Sequence, residues 1–350
     1  MRSSQNYLIP GVPFALGSAV LFGATPPLSK LLLHTIHPLM LAGFLYLGAG
    51  IGLAIYRLLR GPSEGEAQLS RADIPWLVLA IGLGGVIAPL LLMAGLMRSP
   101  AASASLLLNL EGLATMAIAW VVYRENVDRR LLIGAGAILL GAVLLSWGGQ
   151  GVSLSLGALF VTSACVAWGL DNNFTRKISA TDPLVIAMLK GLVAGTINIG
   201  LAVFAGESWP PFSSIAAASA VGLFGIGISL VMFILALRHL GTARTGAYYS
   251  LAPFIGALLA IIILREPVTI TLLLAGLLMG IGLWLHLSER HEHEHDHEEL
   301  AHEHRHMHDE HHQHRHEGPV TEPHSHWHHH ARMRHKHPHY PDLHHRHSHG

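Results

Sequence analysis

The sequence predicts an all-α integral membrane protein: ten transmembrane helices arranged as two inverted five-helix repeats, followed by a disordered tail. Three observations carry this. Only 13% of the 350 residues are charged while 51% are hydrophobic, against about 25% charged in globular chains. The chain matches itself at a shift of about 141 to 146 residues. Beyond residue 290 the composition changes abruptly, and 24 of the 28 histidines fall in the last 60 residues.

A span needs about 20 mostly apolar residues, so the gaps between charges mark the spans. From Arg2 to Lys30 lie 27 uncharged residues, from Lys30 to Arg57 26, and from Asp73 to Arg98 24. Arg130 and Asp171 enclose 40, divided at Gly148-Gly149-Gln150-Gly151 into two spans and a tight turn. Glu207 to Arg238 leaves 30, Arg244 to Arg265 20, and Glu266 to Glu289 22. Two further spans hold an internal charge: Glu111 within about 100–122 and Lys190 within about 183–205. The first span is long and proline-rich, without the basic start and small-residue cleavage site of a signal peptide. Cys165, the single cysteine, excludes a disulfide framework and a cysteine-based zinc site.

Orientation follows from Lys and Arg near span ends. With a cytoplasmic N-terminus, Arg57, Arg60, Arg71, Arg124, Arg129, Arg130, Arg176, Lys177, Arg238, Arg244 and Arg290 lie inside, and Lys30, Arg98 and Arg265 outside. Ten spans then return the tail to the cytoplasm, in the cell (inner or plasma) membrane.

The self-match overlays Tyr123-Arg124-Glu125-Asn126-Val127 on Leu264-Arg265-Glu266-Pro267-Val268, and earlier pairs Phe22-Gly23 with Trp168-Gly169 and Pro38-Leu39 with Pro183-Leu184. Residues 1–148 form the first repeat, 149–288 the second and 289–350 the tail. Five spans per copy put the second in upside down, and inverted repeats place a transporter's substrate near the midplane between the halves. Phe22-Gly23-Ala24-Thr25-Pro26, the stretch from Arg98-Ser99-Pro100 to Arg124-Glu125, and its second copy from His239-Leu240-Gly241 to Arg265-Glu266-Pro267 resemble two EamA domains of the drug/metabolite transporter superfamily. The resemblance covers about residues 11–288. It implies two inverted five-helix bundles, a central cavity and export of small metabolites, often amino acids. The chain departs from the family at Gly112, where a proline is usual and where Pro253 keeps it in the second copy, and in the histidine-rich tail.

An ionisable group at mid-span costs about 2.5 to 3.5 kcal/mol on insertion scales and turns to a cavity or a partner. Glu111, beside Asn109 and midway along its span, is the first candidate for binding a proton, a cation or a substrate amine; the alternative is a structural pair with Lys190. Asp171-Asn172-Asn173 and Thr25-Pro26-Pro27 occupy equivalent places in the two copies. Prolines remove backbone donors and Asn and Asp compete for backbone bonds, so both segments are expected to break helical regularity and line the cavity with freed carbonyls. For Asp171 the other reading is a pair with Arg176 or Lys177. Lys190 is expected to snorkel to the cytoplasmic surface. Tyr248 and Tyr249 replace Leu107 and Leu108 of the first copy, beside the expected cavity.

The tail has almost no apolar residues and predicts disorder without metal. Its histidines, His291, His293, His295, His297, His302, His304, His306 and His308 first among them, read as ligands for Zn, Ni, Co or Cu. Full protonation of all 24 tail histidines would also make it a pH sensor.

The chain has no P-loop, nucleophile elbow or His-Glu-x-x-His, so an enzyme is not expected. Transport is to run on an ion gradient, without a cofactor, and nucleic acid is not a partner. Three functions stand: a secondary exporter of small polar metabolites with a metal-binding regulatory tail; a divalent-metal exporter with the tail as collector; and a non-transporting sensor. Histidine or cysteine pairs at ligand spacing are missing inside the spans, which places the first ahead.

Overall fold

The computed structural model describes residues 11–60, 69–123, 129–147, 155–178 and 181–287, and in the tail 292–297, 300–306, 324–330 and 333–338. The body is helical: α1 (Val12–Leu32), α2 (Pro38–Arg60), α3 (Ile74–Ala80), a π-helical segment π1 (Ile81–Ile87), α4 (Ala88–Arg98), α5 (Ala101–Leu107), α6 (Asn109–Tyr123) and α7 (Arg129–Ser146). The second half follows with α8 (Leu156–Lys177), α9 (Pro183–Phe204), α10 (Phe212–Gly222), π2 (Leu223–Ile228), α11 (Ser229–Tyr249), α12 (Ala252–Leu264) and α13 (Ile270–Leu287).

Among the described residues, seven helical stretches are long and apolar enough to cross a membrane: Val12–Leu32, Pro38–Arg60, Ile74–Arg98, Ala101–Val122, Arg129–Ser146, Pro183–Phe204 and Phe212–Ala236. Ala252–Leu264 and Ile270–His286 are apolar but shorter. The helix α8 has the length but carries Asp171, Asn172, Asn173, Arg176 and Lys177 in its last two turns. Val121, Ile133, Ile262 and Leu273 are among the large apolar side chains left exposed along the helices, as a lipid-facing surface requires.

Helix ends follow local chemistry. Pro100 forces Ser99 into extended backbone (φ −133°, ψ 154°), because a residue before proline is excluded from the helical region; α4 stops there and α5 starts on the far side. Asp182 caps α9 by accepting from the Leu184 amide at 2.9 Å. Arg265 closes α12 in the left-handed region at φ 53°.

Packing carries the repeat. The helices α2 and α9, which are equivalents of each other, pack together, as do α7 and α13, so a pseudo-two-fold runs between each pair. The helix α8 packs on α4 and α6, and its counterpart α1 packs on π2, α11 and α12. The close approaches repeat in detail: a Cβ on Gly169 would fall 2.8 Å from Ala114 Cβ, and one on Gly23 would fall 2.5 Å from the Ala252 carbonyl oxygen. The π segments begin 142 residues apart, at the repeat shift.

Two expectations of helix breaking are corrected. The helix α1 runs unbroken through Pro26 and Pro27, and α8 through Asp171-Asn172-Asn173. Membrane helices tolerate such residues when neighbours meet the freed backbone groups. Asn173 Nδ2 donates to the Gly169 carbonyl at 2.8 Å; the Gly23 carbonyl, whose helical donor Pro27 lacks, faces the backbone of Gly256 in α12. The breaks fall elsewhere, at Leu108 between α5 and α6 and at Ser250-Leu251 between α11 and α12, again at equivalent places.

In the tail only four short segments are described. Strands β1 (Glu292–His297) and β4 (Met333–Pro338) pair antiparallel, as do β2 (Leu300–His306) and β3 (His324–His330). Alternation of histidine with other residues at period two suits an extended strand, although two-stranded ribbons are marginal in water. His291 and His308, the turn at 148–151 and the Arg124-Glu125 step lie outside the described residues.

Candidate functional site between α2, π1, α6, α8 and α9

The site is built around the tightened approach of α8 to π1. A π-helical turn widens the backbone and leaves carbonyls to be met by side chains. The Gly84 carbonyl accepts from Tyr46 Oη at 2.7 Å and from Trp168 Nε1 at 3.0 Å. The Gly85 carbonyl accepts from Asn198 Nδ2 at 3.0 Å. Gly84 has no room for a side chain, because the Asp171 carboxylate fills the place of its Cβ.

Asp171 is buried, 3% exposed. Lys190 Nζ donates to its Oδ1 at 2.6 Å and its Oδ2 at 2.5 Å, and Thr175 Oγ1 donates to Oδ1 at 3.0 Å. This corrects two readings at once. Lys190 does not snorkel, since it bonds the buried Asp171 carboxylate, and Asp171 takes Lys190 as its partner; the Arg176 side chain lies outside the described residues. Lys177 instead stacks over the Trp76 ring at 5.0 Å.

Glu111 is half-buried on α6. Its Oε1 accepts from Asn172 Nδ2 at 3.0 Å, and the same amide reaches Thr115 Oγ1 at 3.2 Å. The partner of Glu111 is therefore an amide, not Lys190. Asn172 is exposed, yet it stands on one stripe of α8 with Val161, Cys165 and Trp168, at helical spacing. That stripe meets α4 at Gly95, α5 at the Leu107 carbonyl, π1 at Gly84 and α6 at Glu111. Val161 and Cys165 are fully buried.

The other sequence candidates divide. Asn109 sits at the α5–α6 break and donates to the Leu106 carbonyl at 2.8 Å, so it satisfies the break itself. Thr25 is buried, donates to the Leu21 carbonyl at 3.3 Å and fills the place of a Cβ on Gly225, the counterpart of Asp171 against Gly84. Pro26 is buried in α1 beside it. Tyr249 lies between Phe22 and Phe233, with ring centroids at 5.5 and 4.7 Å, and Tyr248 packs against Ala15 and Ala236. Side chains of the tail histidines lie outside the described residues, and among described residues no group of three or more His, Cys, Asp or Glu is placed to hold a metal.

Sequence reasoning missed Tyr46, Thr115, Asn198 and the Gly84-Gly85 carbonyls. Asn198, a lone amide in an apolar span, was a usable signal; the π segment left none beyond a glycine pair.

The family model for EamA-like transporters matches residues 9–147 and again 155–288, one match for each structural repeat. The chain belongs to the EamA-like transporter family. An uncharacterized transporter of Methanothermobacter thermautotrophicus is 30% identical over 286 residues, covering 77% of this chain and 83% of that protein. The uncharacterized inner membrane transporter YedA of Escherichia coli K12 is 26% identical over 74% of this chain and 84% of its own. A probable amino-acid metabolite efflux pump of Salmonella typhimurium is 28% identical over 48% of this chain and 54% of that protein. One solved crystal structure, 20% identical with a TM-score of 0.59, covers 79% of this chain and 96% of its own and shares the fold. The EamA protein described here is thus an integral membrane transporter with a small-molecule substrate.

Proposed function

We propose that this EamA protein is a gradient-driven exporter of small polar metabolites such as amino acids, with Glu111 as the group that carries a proton in one direction and a substrate ammonium in the other. The observation that carries this reading is the Glu111–Asn172 pair: a carboxylate at mid-span, bonded to an exposed amide on α8. A lone carboxylate there is costly unless function retains it. The relative named as an amino-acid metabolite efflux pump supports the direction and the class. Ten spans, both termini in the cytoplasm and location in the inner or plasma membrane complete the proposal, the orientation resting on the Lys and Arg bias.

The tail is the regulator in this reading, binding Zn, Ni, Co or Cu through its histidines. Metal as cargo stands behind, since the described spans supply no cluster of three ligands. Efflux from cells expressing the full chain, Glu111→Gln, or a deletion of 291–350 tests the order, with an amino-acid panel and the four metals as probes. Metabolite efflux that falls with Glu111→Gln and persists in the deletion supports it. Metal efflux that falls in both variants replaces it with the metal exporter, and no efflux of any probe favours the sensor.

A further inference from the structure

The tail strands pair stretches that lie far apart in sequence, and their register sorts the residues by type. In the ribbon of β1 and β4, His293 stands opposite His337 and His295 opposite His335. Successive strand residues alternate between faces, so these four histidines share one face of the ribbon. The other face sets Glu294 opposite Lys336 and Asp296 opposite Arg334, opposite charges in the cross-strand places where they favour pairing. The ribbon of β2 and β3 repeats the pattern, with His302 opposite His328, His304 opposite His326 and His306 opposite His324. A slip of one residue would set His295 against Lys336 or Arg334 and move every histidine of one strand to the far face.

Two strands alone are marginal in water, so each ribbon calls for a tie between its strands. Residues directly opposite have Cβ atoms about 4.5 to 5.5 Å apart, and next-but-one neighbours along a strand lie about 7 Å apart. From that spacing imidazoles of both strands can reach one ion bound at about 2.0 to 2.1 Å. We propose that the β1–β4 face is a four-histidine site, His293, His295, His335 and His337, for one tetrahedral divalent ion of the zinc type, and that the β2–β3 face is a second. Neutral imidazole donors in a tetrahedral set suit that class of ion. The free energy of binding is then also the free energy of strand pairing, so metal ties the far end of the tail back to the segment just beyond α13, which ends at Leu287. This rests on the metal-binding reading of the tail above and deepens it, from a collector spread along the chain to sites each closed by two remote segments.

The test titrates Zn into the full chain in detergent against a chelating indicator, with the deletion of 291–350 as the blank. Above that blank the full chain is expected to take about two ions tightly, one per ribbon. His293→Ala/His295→Ala and His335→Ala/His337→Ala should each lose the same ion, and the variant carrying all these substitutions should lose no more than either pair. The control His311→Ala/His312→Ala, at positions in none of the described strands, should keep both ions. A further pair of variants touches no histidine. Lys336→Glu sets like charges opposite Glu294 and should weaken the first site about threefold or more; Glu294→Lys/Lys336→Glu restores opposite charges and should recover it. The inference is overturned by losses that add between the two histidine pairs, or by a control that loses as much as they do. It is overturned equally if Lys336→Glu leaves Zn affinity unchanged or raises it, as an added carboxylate would at a site local to one stretch. The metal-binding reading itself falls, and this inference with it, if the full chain takes up no more Zn than the deletion.

Discussion

Gly84→Ala is the sharpest probe of how the site is held. An added methyl would fall 2.8 Å from Asp171 Cβ and inside the space of its carboxylate, and real Cβ atoms do not approach so closely. The carboxylate cannot turn aside without leaving Lys190 and Thr175, which hold it at 2.6 and 3.0 Å. Separating a buried ion pair from its partner costs about 3 to 5 kcal/mol. The alternative is for α8 to retreat from π1, which strains the Trp168 and Tyr46 bonds to the Gly84 carbonyl and costs about 1 to 3 kcal/mol as overpacking. Either route is a large fraction of a typical stability of about 5 to 15 kcal/mol. Gly82, two residues away on the same segment, has nothing within 4 Å of its Cβ position, so Gly82→Ala is the matched control and should be neutral or slightly stabilising. Thermal unfolding in one detergent, followed by circular dichroism and size exclusion, reads the difference. Equal midpoints for the two variants would refute the packing of Asp171 against π1.

Other expectations follow from the same contacts. Glu266 holds the start of α5 with two charge-assisted bonds, accepting from the Ala101 amide at 2.6 Å and the Ala102 amide at 2.8 Å; Glu266→Gln should cost about 1 to 2 kcal/mol, seen as a lower unfolding midpoint. Asn109→Leu leaves the Leu106 carbonyl unmet in the α5–α6 break and should cost about 1 to 3 kcal/mol in the same assay. Deleting 291–350 should abolish high-capacity Zn or Ni binding in equilibrium dialysis. In the full chain that binding should weaken as pH falls below about 6, because imidazole must lose its proton to bind metal.

The spans, the repeat and the candidate carboxylate were open to reading because each rests on one residue type in an otherwise apolar run. Glu111 and Asp171 stand out against such a background whatever their partners. Pairing was hidden for the opposite reason. Lys190 and Asp171 are 19 residues apart on different helices, and the Asp171 carboxylate occupies space that the bare Gly84 of π1 leaves open. Pro26-Pro27 misled because proline signals a break in water-soluble helices, whereas here α1 runs on through both and packs its Gly23 carbonyl against Gly256 of α12. The π segments carry no sequence mark beyond Gly84-Gly85 and Gly225-Gly227. Glu266 was visible as a repeat marker, but its work as a cap on α5 depends on Pro100 having ended α4 beside it.

The account turns on Glu111 as the exchange group, so the most direct measurement is substrate-driven proton movement. The full chain in liposomes carrying an internal pH dye, given the best probe of the amino-acid panel, should show proton flux opposite to the substrate. Glu111→Gln should abolish that flux while the protein remains folded and monodisperse. Substrate movement without any counter-flow of protons, or flux unchanged in Glu111→Gln, would contradict the account.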